Sequence, residues 1–184
     1  MSKEITSKTI GQLKQDSQIS TWWKSSDIAI PFFDSNMLTV TFTDFDPEDD
    51  KTFIEEADLA LTNFLSHKNE DRKAISELAY NNCMEFLDNV ELDEADYALR
   101  KITDKNEIWN FINPTELFIT RRHRRDNDIY LSIDCECDWE QEHGLQLVFR
   151  QGKKLTRISS IDGHLTEADA YDKPDEKDEM LSKF

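Results

Sequence analysis

The segment Ile129-Tyr-Leu-Ser-Ile-Asp-Cys-Glu-Cys137 decides the fold, because an apolar residue stands at every second position. A period of two places successive side chains on opposite faces of a β-strand. The same period recurs from Leu117 to Ile119, from Leu145 to Phe149 and from Leu155 to Ile161. Short polar turns separate these runs, so the last third of the chain is predicted to be an antiparallel meander.

Residues 27–43 form a second strand-like segment. They contain two alternating runs, and Asp34-Ser35-Asn36 between them supplies turn chemistry, which predicts a β-hairpin. Pro31 has no amide hydrogen for a ladder bond. Its strand is therefore expected at a sheet edge, or with Pro31 outside the pairing.

The middle of the chain has helical periodicity. Apolar residues recur at intervals of three and four from Phe53 to Leu65 and from Ile75 to Val90. Asp46-Pro47-Glu48-Asp49 has the capping side chain, the proline and the acids typical of a helix N-terminus, so the first helix is expected to start there. A short third helix is predicted around Ala98, and a fourth around Trp109 that Asn113-Pro114 ends.

This order of elements predicts an α+β fold. The expected architecture is an antiparallel sheet, made of the N-terminal hairpin and the C-terminal meander, with a central block of helices packed on one face. Residues 1–171 are expected to form a single domain, because one core is usual in a chain of 184 residues. Residues 172–184 are charged and nearly free of apolar side chains, which predicts a flexible C-terminal tail.

The charge of the chain restricts its partners. There are 39 acidic and 22 basic side chains, which gives a formal net charge of −17. Nucleic acids and anionic membranes need a positive contact surface, so they are excluded as direct partners, whereas a cationic protein is not. Eleven Phe, four Trp and four Tyr supply enough apolar surface to exclude a chain that is disordered by composition.

The sequence also indicates a location. No apolar run approaches the roughly 18 residues that span a bilayer, and the polar N-terminus leads into no apolar leader segment. Three cysteines are an odd number and are not spaced as a disulfide framework. A cytoplasmic protein is therefore expected.

Acidic side chains are concentrated in three places, which we predict to bind the partner. They follow the first hairpin, lie between two helices, and form a row on one face of the strand 129–137. The candidate contact residues are Asp44, Asp46, Asp49, Asp50, Glu91, Asp93, Glu94, Asp96, Asp134, Glu136 and Asp138. Like charges two residues apart on a strand repel, so cross-strand pairing with Arg121 or Arg122 is expected to neutralise part of the row.

No metal, cofactor or catalytic group is predicted. Cys135 and Cys137 have acids and His143 nearby, but their alternation places both thiols on the apolar face of the strand, where they act as small core residues. The acidic loop that starts at Asp44 has Asp49 at the sixth position, where a calcium-binding loop needs glycine for its sharp turn. Neither a nucleophile elbow nor a catalytic triad is recognisable.

Two motifs carry a family resemblance. They are Trp139-Glu-Gln-Glu-His-Gly-Leu-Gln-Leu-Val-Phe149 and Asp162-Gly-His-Leu-Thr166. Over about residues 115–171 the chain resembles a family of uncharacterised bacterial domains, classed as a domain of unknown function. Relatives of that family resemble immunity proteins of polymorphic-toxin systems, and the resemblance brings no catalytic residue with it.

The resemblance implies an immunity or antitoxin-like protein that binds a cognate toxin and catalyses no reaction. The alternative is an enzyme, or a ligand-binding or metal-binding domain, with a site around Trp139, Glu142, His143 and His164. A third alternative is an accessory domain that mediates oligomerisation. Both motifs also admit a structural role, because Gly144 and Gly163 suit turns with positive φ.

Overall fold

The computed structural model describes residues 3–91 and 96–182, and within these residues nine β-strands form one sheet. The strands are β1 (Glu4–Ser7), β2 (Gly11–Gln15), β3 (Trp23–Ser25), β4 (Ile28–Ile30), β5 (Asn36–Phe42), β6 (Ile112–Arg121), β7 (Ile129–Cys137), β8 (Leu145–Arg150) and β9 (Lys154–Ser159). The helices are α1 (Phe53–Leu65), α2 (Ser76–Leu87), α3 (Asp96–Arg100), α4 (Glu167–Ala170) and α5 (Glu179–Ser182). The predicted α+β class is confirmed.

The sheet joins the predicted hairpin to the predicted meander. Its order is β1-β2-β3-β5-β6-β7-β8-β9, and β4 pairs with the first half of β5. Among the described strands, every pairing is antiparallel except that of β5 with β6. A parallel pair needs a long crossover, which residues 43–111 with α1, α2 and α3 supply. The parallel pairing therefore unites the two ends of the chain in one sheet.

β1 and β2 lie in the first 15 residues, for which the sequence predicts no strand. Their outward positions are polar, and of the nine strand residues only Ser7 and Leu13 are buried, so the apolar alternation is too sparse to recognise. The carboxylate of Asp58 on α1 accepts hydrogen bonds from the Ser7 hydroxyl and from the Lys8 amide. This buried carboxylate anchors the edge hairpin to the helix layer.

α1 begins at Phe53, not at Asp46–Asp49 as the sequence predicts. The carboxylate of Asp46 accepts the amide N–H of Glu48 at 2.9 Å, and that of Asp50 accepts the amide N–H of Phe53 at 3.1 Å. Both acids therefore satisfy orphan amide groups, as helix caps do, but Asp46 stabilises the turn before the helix. The predicted helix start is therefore wrong, since the N-cap residue of α1 is Thr52, which makes no side-chain capping hydrogen bond.

The predicted fourth helix is a 3₁₀ helix over Lys105–Phe111, and it ends before Asn113-Pro114. β6 begins at Ile112, so Pro114 lies inside a strand, where a break in register separates it from Glu116. A bulge tolerates a residue that cannot donate a ladder hydrogen bond. Pro31 occupies the first position of a 3₁₀ helix over Pro31–Phe33 and lies outside the pairing of β4 with β5, in agreement with one of the two expectations.

Aromatic rings fill the core between the helices and one face of the sheet. The ring of Phe32 lies 5.7 Å from those of Phe64 and Phe149 and 6.0 Å from that of Trp109, centroid to centroid. These residues come from the turn after β4, from α1, from β8 and from the 3₁₀ helix before β6. The cluster therefore ties the helical crossover to both halves of the sheet.

Cys83, Cys135 and Cys137 are free, buried thiols in this core. Burial raises the pKa of Cys83 to about 12 and that of Cys137 to about 11. Both thiols are neutral at physiological pH, and neutral thiols are poor nucleophiles and poor metal ligands. The prediction that Cys135 and Cys137 are core residues is confirmed.

The described part of the predicted flexible tail is packed against the body. We call residues 161–182 the strap. Asp175 pairs with Arg122 at 2.7 Å, buried Asp178 accepts the amide N–H groups of Ala168 and Leu181, and Met180 packs on the helix-side core. The tail expectation is therefore wrong for residues 172–182, because its carboxylates find buried partners that a composition count does not reveal.

Arg122 holds the strap on the sheet face opposite the helices, which we call the open face. Its side chain is 3% exposed, and its guanidinium pairs with Asp126, Asp169 and Asp175. Burial lowers the pKa of Arg122, but the hydrogen bonds to these carboxylates outweigh burial and raise it. The side chain is therefore a permanent cation at the junction of three acidic groups.

We expect Arg122→Ala to destabilise the protein by roughly 3–5 kcal/mol, because it leaves three carboxylates facing a buried vacancy. The matched control is Arg125→Ala, which removes a more exposed partner of the same Asp169 and Asp175 and should cost less than about 1 kcal/mol. Urea unfolding measures both changes. Trypsin cleavage at Lys173 or Lys177 should accelerate only in the Arg122 variant, and equal effects of the two substitutions would contradict this role.

Gly152, in the turn between β8 and β9, should not tolerate alanine. It has φ +66°, and a Cβ there would lie 1.9 Å from the carbonyl oxygen of Ala60 on α1. We expect Gly152→Ala to cost roughly 3–5 kcal/mol, from overpacking added to left-handed strain. Gly11→Ala is the control, since its φ is +82° but no atom lies within 4 Å of its Cβ position, and it should cost only about 1–2 kcal/mol in the same unfolding assay.

Candidate functional site

Two neighbouring cavities lie beside β7, and Ile161 lines both of them. The first, of about 630 Å³, lies on the open face between the turn 121–125 and the start of the strap, and we call it the open-face groove. The second, of about 810 Å³, lies at the end of β7 and of the loop that follows it, and we call it the acidic cavity. Of the residues that the sequence singles out, these two cavities are lined by Asp44, Asp134, Glu136, Asp138, Glu142, His143 and His164.

The acidic cavity is lined by four carboxylates, of Glu136, Asp138, Glu140 and Glu142. Glu136 and Asp138 are exposed because the alternation of β7 turns them away from buried Cys135 and Cys137. Glu140 accepts the amide N–H groups of Glu142 and His143, at 3.2 and 3.3 Å. One carboxylate thus shapes the loop, and the others present a concave negative surface.

The predicted row Asp134, Glu136, Asp138 is divided between the two cavities. Glu136 and Asp138 line the acidic cavity, whereas Asp134 lines the open-face groove. The predicted pairing of this row with Arg121 or Arg122 is wrong. Arg121 points toward the helices and pairs with Asp50 and Glu56, and Arg122 pairs with three other acids, because successive residues of β6 face opposite sides of the sheet.

The candidate acids after the first hairpin differ in availability. Asp44, Asp46 and Asp49 are exposed. The carboxylate of Asp50 lies 2.6 Å from the guanidinium of Arg121, which, with the hydrogen bonds around it, outweighs burial and lowers the pKa of Asp50. Asp50 therefore serves an internal ion pair and offers little free charge to a partner.

The candidate acids between the helices are only partly described. Glu91 is exposed, whereas Asp96 at the start of α3 is buried, so its carboxylate is withdrawn from solvent. Asp93 and Glu94 lie outside the described residues. Of this group, Glu91 is the one described carboxylate on the surface.

The four residues of the alternative site do not converge. His143 lines the acidic cavity, and His164 lines the open-face groove. Trp139 is buried and donates its indole N–H to Asn82 on α2 at 3.2 Å, and it lines neither cavity. A shared site for both imidazoles is therefore not formed.

The residues of both sequence motifs stabilise turns and loops of this fold. The Asp162 carboxylate accepts the amide N–H of His164 and pairs with Arg157, and the Thr166 hydroxyl accepts the amide N–H of Asp169 at the start of α4. Gly144 has φ +67°, and a Cβ there would lie 2.5 Å from the carbonyl oxygen of Cys135. The motifs therefore shape the strap and the loop that enclose the two cavities.

The open-face groove contains residues that the sequence does not single out. Trp22 and Phe118 form an edge-to-face pair with centroids 5.8 Å apart, and buried Gln146 lies on the floor. Strand alternation could have placed Phe118, Asp134 and Gln146 on one face, but Trp22 joins them only through the pairings of β3 with β5 and of β5 with β6. Nothing local in the sequence signals those pairings.

Asp134 has the most unusual environment of the acids in the groove. Its cross-strand neighbours are Glu116 on β6 and Gln146 on β8. Burial, and then the nearby charge of Glu116, raise the pKa of Asp134 to about 6. Side chains with strongly shifted pKa values are concentrated at functional sites. Asp134 combines such a shift with a position in the wall of a cavity.

The described residues contain no group of three or more His, Cys, Asp or Glu side chains placed to hold a metal ion. In the same part of the chain, no helix is long and apolar enough to cross a membrane.

A family model described as a domain of unknown function (DUF6985) matches residues 9–165. The match includes the Trp139–Phe149 motif and most of the Asp162–Thr166 motif, and it reaches well upstream of the 115–171 range that the sequence resemblance covers. No curated protein and no solved structure matches the chain. A family of unknown function supplies no activity, so the function has to be inferred from the chain's own surface.

We expect Asp134→Asn to stabilise the folded protein by roughly 1–2 kcal/mol at pH 7.5, because it removes a carboxylate whose ionisation is unfavourable in the fold. The folded-state pKa of about 6 lies above the ordinary value of 3.8, so the native state holds the proton to higher pH than the unfolded state does. The wild type therefore loses stability as pH rises from about 4 to about 7.

Urea unfolding at pH 7.5 and at pH 4 measures this difference. The advantage of Asp134→Asn should shrink strongly at the lower pH, where the wild-type carboxyl is protonated in the folded state. Asp138→Asn is the matched control on the same face of β7 and should stay within about 0.5 kcal/mol of wild type at both pH values. A destabilised Asp134→Asn at pH 7.5 would refute the assigned environment.

Proposed function

Because the chain belongs to the DUF6985 family, a domain of unknown function, we propose its function from its own charge and surface: it is an immunity protein that binds and neutralises a cognate bacterial toxin. It acts in the cytoplasm and catalyses no reaction itself. The toxin is expected to be basic at the contact surface.

The observation that carries the proposal is the acidic cavity. A concave surface of about 810 Å³, lined by Glu136, Asp138, Glu140 and Glu142, suits a protruding basic loop or side chain of a protein partner. The carboxylates are held by a strand end and by a loop that is hydrogen-bonded to itself, so the surface is formed before a partner arrives. A preformed site loses less entropy on binding.

The distribution of ion pairs supports the same polarity. Seven of the eight arginines pair with carboxylates of the described chain, namely Arg72, Arg100, Arg121, Arg122, Arg125, Arg150 and Arg157. Most arginines therefore form ion pairs within the fold. The net charge of −17 arises from the excess of acidic side chains, many of which remain at the surface. The exposed carboxylates of Asp44, Asp46 and Asp49 extend this negative field.

Such a field steers a basic partner toward the domain. Electrostatic complementarity raises association rates by orders of magnitude at low salt, while a few well-packed anchors provide most of the affinity. The acidic cavity supplies the charge complementarity. Neutralisation then follows if the bound domain covers the basic surface with which the toxin holds its own target.

The decisive experiment uses the product of the adjacent gene, expressed alone and together with this protein. We expect that product to be toxic alone, to be neutralised on co-expression, and to form a complex whose association rate falls with salt. Glu136→Lys/Asp138→Lys should slow association at least tenfold, flatten its salt dependence and abolish protection.

The matched control is Glu55→Lys/Glu70→Lys, which makes the same change of net charge at exposed positions in the helix layer. It should retain protection and slow association only slightly. Equal effects of the two double variants would show that net charge, and not the acidic cavity, controls binding. A product that is harmless alone, or that does not bind, would refute the immunity function.

A further inference from the structure

The open-face groove is separate in chemistry from the acidic cavity. Its floor is the open face of β6, β7 and β8, one wall is Trp22, and another is the start of the strap at Gly163 and His164. Its volume of about 630 Å³ is in the range of ligand sites in proteins.

Three hydrogen-bond acceptors line the floor with no donor from the residues that the structure describes. They are the carboxylate of Asp134, the side-chain oxygen of Gln146 and the hydroxyl of Ser132. Gln146 is only 1% exposed, and its amide nitrogen is used by Ser159, Asp162 and the carbonyl oxygen of His164. Those contacts fix the amide so that its oxygen remains an acceptor. These oxygens face the groove, where the N–H groups of a bound ligand would supply the missing donors.

An aromatic wall stands beside these acceptors. The rings of Trp22 and Phe118 meet edge to face at an interplanar angle of 61°. A cation above an aromatic face is stabilised by the ring quadrupole, and indole is the best of the protein rings for this contact. Acceptors and an aromatic wall together favour a cationic group that also carries N–H donors.

The cations near the groove do not neutralise Asp134. Arg121, Arg122, Arg124 and Arg125 line its other end, and all of these except Arg124 are paired with carboxylates. The ammonium of Lys24 lies 5.9 Å from the centroid of the Trp22 ring and pairs with Asp16. Asp134 lies five residues along β7 from Ile129, the register partner of Arg121, a separation of about 16 Å along the strand. Its direct cross-strand neighbour is the acid Glu116. The negative end of the groove therefore lacks a counter-charge within the described chain.

We propose that the open-face groove binds a guanidinium group, and that its occupant in the complex is an arginine side chain of the toxin. A guanidinium is planar and offers five N–H donors, which match the carboxylate of Asp134 and the oxygen of Gln146 while its face stacks on Trp22. The arginine-binding groove stands on its own geometry. Its assignment to the toxin rests on the function proposed above.

The test is a titration with N-acetyl-L-arginine methylamide at pH 7.5, followed by amide and indole NMR shifts. We expect saturable binding with a dissociation constant on the order of millimolar, and shifts at the Trp22 indole and the Gln146 side-chain amide. The citrulline analogue has nearly the same shape without the charge and should not saturate. The lysine analogue should bind several-fold more weakly, because an ammonium cannot stack or bridge two acceptors.

Variants separate this site from the acidic cavity. Asp134→Asn, which is expected to be the more stable protein, and Trp22→Leu should each weaken arginine binding at least tenfold. Glu55→Gln, at an exposed position in the helix layer that lines neither cavity, should leave it unchanged. Equal binding of the citrulline or lysine analogue, shifts that map to Glu136 and Asp138, or no saturation at all would overturn the proposal.

The two proposals fail in different ways. If the toxin binds but the arginine derivative does not, the groove is not a guanidinium site and the acidic cavity alone carries the interface. If the arginine derivative binds but the adjacent gene product does not, the groove stands as a guanidinium site and both the immunity function and the assignment of the occupant to the toxin fall.

Discussion

Arg121 is the last residue of β6 and Arg122 follows it directly, and their ion pairs lie on opposite faces of the sheet. Arg121 pairs with Asp50 and Glu56 and so fastens the start of the helical crossover to one face. Arg122 pairs with Asp169 and Asp175 and fastens the strap to the other. One dipeptide thus ties three layers together. Because a strand alternates its faces, a single-residue shift of register would exchange the two clamps and break both.

This use of arginine explains how a strongly acidic chain can stay compact. A net charge of −17 on a small domain produces repulsion among its carboxylates. This repulsion is strongest where the carboxylates are buried or close together. The buried guanidiniums of Arg122 and Arg157 lie at those points, each between two or more acids. Acids that serve the fold are therefore neutralised, and acids that remain at the surface, such as Glu136 and Asp138, are free to serve binding.

The periodic parts of the fold could be predicted from the sequence, because local alternation reports burial directly. The hairpin, the meander and the first three helices are of this kind. The parallel pairing of β5 with β6 could not, since it joins segments more than 70 residues apart and depends on tertiary packing. The packing of the strap could not be predicted for a different reason. Asp175 and Asp178 lie in a charged segment without apolar periodicity, and their partners, Arg122 and the amide of Ala168, are brought beside them only by the tertiary fold. Of the candidate acids, the sequence identified the positions on β7 but not their division between two cavities.

The Asp162–Thr166 motif is structural in its contacts and still matters for binding. The Asp162 carboxylate and the carbonyl oxygen of His164 both accept from the amide nitrogen of Gln146. That pairing forces the Gln146 oxygen to remain an acceptor toward the open-face groove. The strap that carries the motif is held in turn by Arg122 through Asp169 and Asp175. The chemistry of the groove therefore depends on an ion-pair cluster that does not itself contact the proposed ligand, and a motif with purely internal hydrogen bonds sets which groups the site presents.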